Sequence, residues 1–421
     1  MDFKTLLSLF PESNRYEFTS KKIFRRKAYV VCCCGCEMRH NGYDFVRKKG
    51  FGKAKVGKQL CPVCGKQHHE DKGFWKNLLS EWVKTATSLI LTLRTSDVSW
   101  KVVSKVMGFI VPCSKDKARY LFNNKIEQFE YPQDKFLVVN YDEQHPKRGR
   151  TQKFRLTLLN YKTGVPIAEG LFDNKDEDTI EAFLRNHLDT EKELIIITDC
   201  DRRYPNIFKK IWGNKVIHQK CLLHLNKLVV SGFGKNTTLL NEYNKYLILN
   251  IFYNRKKELK FLEKLIRKQD RKSFESAKEK NEWTKKTKKK FRDYVRNLEN
   301  TRRRKGKNLT QRKLFKAKEI FEELLKQKNL FPKQARDRLD MIKKNWNYFT
   351  AFYHIKGCPA TNNKIENYYS TSLKTHRKKQ LRTDKGIVNH MKLSALKRIE
   401  DFSKPKKTLL EIYGFIKLIS S

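Results

Sequence analysis

Between positions 134 and 224 the apolar and polar residues follow two different periods. FLVVNYD (136–142), KFRLTLLNY (153–161) and PIAEGLF (166–172) are short runs rich in β-branched and aromatic residues, and they predict three strands. Lys162, Thr163 and Gly164 supply the turn between the second and third. DEDTIEAFLRNHL (176–188) shifts to helical spacing. ELIIITD (193–199) is an unbroken apolar run, the pattern of a central strand covered on both faces. RRYPNIFKKIW predicts a second helix with Pro205 near its first turn, and KVIHQKC (215–221) a fifth strand. The order is β-β-β-α-β-α-β. Strands one and four lie side by side in a sheet of this topology, so Asp142 and Asp199, at their carboxyl ends, are expected to share one small space.

The flanking regions differ in texture. Residues 1–72 are loop-rich and Cys-rich, which predicts a zinc-ribbon-like region, and residues 73–133 are helical. Residues 75–94 carry an apolar helical face. Thr95 or Ser96 then offers an N-cap for a helix burying Val98, Val102, Val103 and Val106 and stopped by Gly108. Ser114 is expected to cap a third helix that exposes Lys115, Lys117 and Arg119 near its start. Helix, turn, basic helix is the arrangement of a helix-turn-helix reader of the major groove, and also of many ordinary helical hairpins. Residues 134–224 form the first part of a central α/β core, 225–350 a helical basic insertion, and 351–421 the second part of the core with C-terminal helices. The fold class is therefore α+β and multidomain.

Charge narrows the partners. Lys and Arg total 93 against 45 Asp and Glu, a formal net charge of +48. Such a chain repels itself unless a polyanion screens it. No apolar run reaches the roughly 18 residues of a membrane span, and the start MDFKTLLSLFPESNRYEF is not a secretory signal. Nucleic acid is the expected partner, with a cytoplasmic, nucleoid-associated location in a prokaryote or a nuclear one in a eukaryote. Six of the ten cysteines fall between residues 32 and 64, a distribution that points to metal rather than disulfides. Cys33-x-x-Cys36 and Cys61-x-x-Cys64 are two pairs that can each grip one structural Zn²⁺ from a tight turn. Cys32, Cys34, His40, His68 and His69 are spare donors that leave the ligand set open.

Two close carboxylates cannot both ionise cheaply without a cation between them. Asp142 and Asp199 therefore suggest Mg²⁺ or Mn²⁺, two ions per site, as in the in-line reactions of phosphodiesters. Glu143 and Asp201 are their sequence neighbours and rivals. A third acid is expected from a helix packed on the sheet, and GCPATNNKIENYYSTSLKTHRKKQLRT (357–383) supplies Glu366. Helical spacing puts Glu366, Ser370, Leu373 and Arg377 along one side with Lys374 adjacent, so Lys374 and Arg377 become candidate DNA contacts. A solvated basic helix with one stray Glu is the competing reading of that segment.

These stretches carry a resemblance. VVNYDE around Asp142, IITDCDRRYPNIF around Asp199, QKCLLHLNK with Cys221-x-x-His224, and TNNKIENYYSTSLKTHR around Glu366 resemble the DDE/D transposases of insertion sequences, nearest the Mutator-like group, over roughly residues 134–395. The resemblance implies a ribonuclease-H-like core interrupted by an all-α insertion, with Asp142, Asp199 and Glu366 as metal ligands. It implies cleavage at element ends and transfer of the freed 3′ hydroxyl into target DNA, by a dimer or larger assembly on double-stranded DNA. Cys221 and His224 recur in that family after the fifth strand, and buried core residues explain them nearly as well. A domesticated DNA-binding regulator and a metal-dependent nuclease or resolvase of the same core are the alternatives.

Overall fold

The computed structural model describes residues 15–21, 23–48, 52–69, 86–110, 113–132, 137–145, 153–234, 238–374, 381 and 383–399. It is a mixed α/β protein with two mixed sheets, divided into two compact units, residues 1–130 with 385–421, and residues 131–384.

The first unit opens on a five-stranded sheet of β1 (Tyr16–Phe18), β2 (Ile23–Arg26), β3 (Arg39–Lys48), β4 (Gly52–Leu60) and β5 (Gln67–His69), in which β3 and β4 form an antiparallel pair. Helix α1 occupies 86–95, followed by α2 (Trp100–Ile110) and α3 (Lys115–Glu127). The α1–α2 junction departs from the expected capping. Thr95 and Ser96 donate their hydroxyls back to Thr92 O and so finish α1. Asp97 takes a left-handed φ of 61°, and the Ser99 hydroxyl accepts from Val102 N to open α2. Gly108 does not stop α2, which runs to Ile110 and buries Val103 and Met107 while Val102 stays exposed. The next expectation holds: Ser114 caps α3 by accepting from Lys117 N at 3.1 Å. The C-terminal helix, here α14 (Asp384–Leu396), contributes Leu393 to the core of α1–α3, and Asn389 Nδ2 donates to Asn123 Oδ1 at 3.1 Å. That packing redraws the 351–421 division, because residues from 385 on belong with the N-terminal unit.

The second unit holds β6 (Val138–Gln144), β7 (Phe154–Asn160), β8 (Pro166–Phe172), α4 (Glu177–His187), β9 (Leu194–Thr198), α5 (Tyr204–Trp212) and β10 (Val216–Lys220). The sheet order is β10-β9-β6-β7-β8, with β6, β9 and β10 parallel and β7 and β8 antiparallel. All five strands and both helices fall where the alternation of periods puts them. One face carries α4 and α5 on a core that includes Val139, Tyr141, Leu156, Ile196 and Phe208.

A helical array follows: α6 (Leu222–Gly232), α7 (Leu239–Leu249), α8 (Lys256–Asp270), α9 (Ala277–Arg304), α10 (Leu314–Lys326), α11 (Lys333–Lys344) and α12 (Trp346–His354). Leu225, Val229, Ile248, Phe321, Leu339 and Phe349 join α6, α7, α10, α11 and α12 in one core, and a second core joins α7, α8 and α9. Helix α12 returns the chain to the sheet, where Phe352 N donates to Gln219 Oε1 on β10. Helix α13 (Asn363–Ser372) then lies against β6 and β7 through Ile365, Tyr368 and Tyr369.

Candidate active site and metal centre

Register brings the two aspartates together. Val138, Val139 and Asn140 of β6 pair with Ile195, Ile196 and Ile197 of β9. The same offset carried two residues further sets Asp142 opposite Asp199. Alternation along β6 turns Tyr141 and Glu143 toward the α4–α5 face, so Asn140 and Asp142 point the other way. Glu143 is satisfied where it lies: Tyr204 Oη donates at 2.9 Å, Tyr141 Oη at 3.2 Å, and Lys175 Nζ sits 2.9 Å away. Asp201 likewise has its own cation, Arg203 Nη2 at 2.7 Å. The two rival acids are thus already neutralised, and Asp142 and Asp199 are not.

Asp142 has one hydrogen bond to its carboxylate, from Glu143 N at 2.8 Å. Burial, then the charge of Asp199, with Glu143 and Glu366 adding, push its pKa up to about 8. Burial also raises Asp199, against the pull of the Asp201 N–H and of His224. Burial first, and the neighbouring carboxylates second, make the ionised form of Asp142 costly in the absence of a nearby cation.

Glu366 crosses the 167 residues from Asp199 on a latch built from side chains. Leu222 N donates to Ala360 O at 3.0 Å, and Asn362 N donates to the Cys221 thiol at 3.2 Å. Asn362 Nδ2 donates to Tyr141 O, and its Oδ1 accepts from Asn140 Nδ2 at 2.5 Å. These bonds fix the start of α13 at the carboxyl ends of β6 and β10. One turn on, Glu366 comes near enough to Asp142 to add to its charge repulsion, and Tyr369 Oη donates to Asp142 O at 2.7 Å. Under α13 lies an ion pair with both side chains fully buried, Arg155 with Glu169. Tyr368 Oη donates to Glu169 at 2.6 Å, Arg155 Nη1 donates to Ser372 Oγ at 3.0 Å, and both tyrosine rings stack on the guanidinium.

Cys221 is buried and acts as part of this latch. His224, one turn into α6, places Nε2 3.3 Å from Glu366 Oε1 and has a buried Nδ1 with no partner among the described residues. Burial, then Lys227, hold its pKa below the usual value. Lys227 Nζ lies 2.8 Å from the same Glu366 oxygen. Glu366 is therefore drawn toward α6, and although its charge is felt at Asp142, the three carboxylates do not form one tight cluster among the described residues. Three hard oxygen donors around an uncompensated buried carboxyl suit a divalent cation such as Mg²⁺ or Mn²⁺.

Among the described residues, one group of thiols does close within 4.8 Å: Cys32, Cys34, Cys61 and Cys64. This set could hold a metal such as zinc. It corrects the expected quartet, with Cys32 and Cys34 in place of Cys33 and Cys36. Backbone geometry gives the reason. Cys61 N donates to Lys66 O, Gly65 N donates to Cys61 O, and Gly65 has φ 71°. The first loop repeats the pattern one residue shorter: Cys32 N donates to Cys36 O, Gly35 N donates to Cys32 O, and Gly35 has φ 81°. In each loop the left-handed glycine follows the second ligand, so Gly35 marks Cys34 as Gly65 marks Cys64. Cys33 turns outward, its sulfur 3.4 Å from Lys66 Nζ, and Cys36 lies one residue past the turn. Backbone N–H groups of Cys64 and Val63 pull the Cys61 thiol down to about 6, while hydrogen bonds with Cys32 and Cys61 push the Cys64 thiol up, so without a metal the crowded thiols share their protons unequally.

Lys115, Lys117 and Arg119 stand exposed on the first turns of α3 as expected. Lys374 is exposed but lies beyond α13, which ends at Ser372, and Arg377 falls outside the described residues. Among the described residues the face that starts at Glu366 ends with α13 at Ser372, and Leu373 is buried with its backbone out of the helix. Lys227 and the Arg155–Glu169 pair were not anticipated, and Asn362, expected as a helix cap, stands at the N-cap of α13 but spends its side chain on Tyr141 O and Asn140. A charged residue in each of two apolar strands, KFRLTLLNY and PIAEGLF, was the one available signal.

The sequence matches none of the protein-family models with which it was compared, and no curated protein matches it.

Proposed function

We propose that this chain is a metal-dependent DNA transposase with a ribonuclease-H-like core. The observation that carries the reading is the pairing of Asp142 with Asp199 at the carboxyl ends of β6 and β9, with Asp142 buried, its pKa raised to about 8, and Glu366 adding to that shift. Two buried, unpaired aspartates facing a polyanion oppose binding unless a cation intervenes. A pure DNA-binding regulator has no use for them, which favours chemistry over binding alone.

Asp142, Asp199 and Glu366 would hold Mg²⁺ or Mn²⁺, which when bound supplies charge stabilisation to attacking and leaving oxygens of a phosphodiester. Asn140, Asn362 and Tyr369 keep the acids in register, and the Arg155–Glu169 pair stiffens the sheet beneath α13. Lys227 and His224 offer donors to a phosphate lying beside Glu366. The exposed first turn of α3 and the thiol-knuckled sheet are candidates for recognising element ends, and two ends imply at least two chains. A nuclease without strand transfer is the second reading, and the joining half of the assay separates the two.

The test uses the full chain, Mn²⁺ and labelled duplexes carrying the ends that flank its reading frame. Wild type should nick the ends and join the 3′ hydroxyl to target DNA, and Asp142→Asn, Asp199→Asn and Glu366→Gln should lose at least a thousandfold of both while still binding duplex. Full strand transfer by any of the three would sink the assignment.

A further inference from the structure

Helix α9 is a rod of 28 residues, about 42 Å long at 1.5 Å per residue. Its inner face packs by Trp283, Thr287, Phe291 and Val295 on α7 and α8, with Phe261 stacked on Tyr294 at 4.1 Å between ring centroids. Near its end Arg302 Nη2 reaches Glu258 of α8, which is fully buried, at 3.0 Å. The rod is thus held along its length.

On the opposite side, Lys278, Lys285, Lys289, Arg292, Arg296 and Arg303 follow one another at steps of seven, four, three, four and seven residues. That spacing keeps all six within one narrow stripe, and all six are exposed. The stripe spans about 37 Å by helix rise, close to one turn of B-form duplex at roughly 34–36 Å. Like charges four residues apart, as at Lys285/Lys289 and Arg292/Arg296, repel one another along the helix.

A face meant only for water shows a different pattern in this same unit. On α10, Lys316 pairs with Glu319 at 2.6 Å and Lys318 with Glu322 at 3.8 Å. Along the α9 stripe the acid paired with a cation, among the described residues, is Asp293, 3.6 Å from Arg296. Glu282 and Glu299 flank the stripe without an ion pair among the described residues.

We infer that the outer face of α9 is a docking surface for the phosphate backbone of duplex DNA, gripping about one turn without reading sequence. The inference rests on DNA as the partner and adds the surface that holds it, separate from the acids and from α3. Such contacts position a duplex and release counterions, and they do not discriminate bases.

The experiment compares full-length wild type with a stripe variant (Lys285→Gln, Lys289→Gln, Arg292→Gln, Arg296→Gln) and a charge-matched control (Lys318→Gln, Lys326→Gln, Lys343→Gln, Lys344→Gln). Duplex affinity is measured across salt concentrations by fluorescence anisotropy. Each lost phosphate contact flattens the log–log salt slope by about 0.9, so the stripe variant should lose roughly three to four in slope and at least tenfold in affinity near physiological salt. The control should lose less than one. Unchanged slope in the stripe variant, or equal losses in both, overturns the proposal, as does weakened binding to anionic lipid vesicles with duplex binding intact. Circular dichroism checks that α9 persists, and the single Arg292→Gln, with an expected slope change of about one, covers a misfolded quadruple variant. Failure here leaves Mn²⁺-dependent cleavage by wild type in place, whereas absent cleavage with a flattened slope would sink the enzymatic reading alone.

Discussion

At the scale of the residue, Asp142 shows how a fold holds a group at odds with its own stability. Its pKa of about 8 lies far above the ordinary aspartate value, so between about pH 4 and pH 8 the folded chain keeps a proton that the unfolded chain has released. Stability from this group is full below about pH 4 and falls as pH rises through 8. Asp142→Asn should therefore stabilise the metal-free protein at pH 8, by a few kcal/mol in order of magnitude, and leave it unchanged near pH 4. Thermal melts at the two pH values check the sign, and an equal shift at both would contradict it. Lys227 shows the converse. It neutralises Glu366 at 2.8 Å from a largely exposed position, so the pair is worth no more than about 1 kcal/mol. Lys227→Ala should free the carboxylate and tighten Mn²⁺ binding by up to about fivefold in calorimetric titration.

At the scale of the element, two devices position function. The first is α13 on its buried ion pair. Arg155→Met strands Glu169 without its partner and should cost about 3–5 kcal/mol in denaturant titration, whereas Arg155→Met with Glu169→Leu should recover much of that loss. A strictly additive double variant would show that the two side chains do not act as a pair. The second is the pair of thiol knuckles. Cys34→Ser should abolish binding of about one zinc per chain, and Cys33→Ser or Cys36→Ser should retain it, as metal analysis of purified protein would show. Here spacing misled. The familiar interval of two residues pointed to Cys33 and Cys36, while the glycine after Cys34 was the better signal, because a left-handed residue must follow the second ligand where the backbone folds under a metal.

At the scale of the whole molecule, the chain is two compact units, with a net charge of +48. Among the described residues no helix is long and apolar enough to cross a membrane. The sheet of the first unit carries a small core around Cys32, Met38 and Cys61, so a bound metal would supply much of its stability. A thiol-reactive metal chelator should melt that sheet while residues 131–384 retain their cooperative transition, and loss of both together in calorimetry would refute the separation.

The sequence by itself determined the strands and helices of residues 138–220, because alternation and helical spacing are local and survive without neighbours. It also placed Asp142 and Asp199 together, since adjacency of the first and fourth strands follows from their order. Alternation set Asp142 and Glu143 on opposite faces of the strand, and only the partners of Glu143 in the fold separated the two. Tertiary structure decided what depends on partners distant in the chain. Glu366 reaches the aspartates through Asn362, Cys221 and Asn140, none of which signals that bond from its own position. The thiol set follows from how two loops face each other. Burial and charge also act only after folding, and they alone turn Asp142 from a strand-end acid into a carboxyl held far above its ordinary pKa.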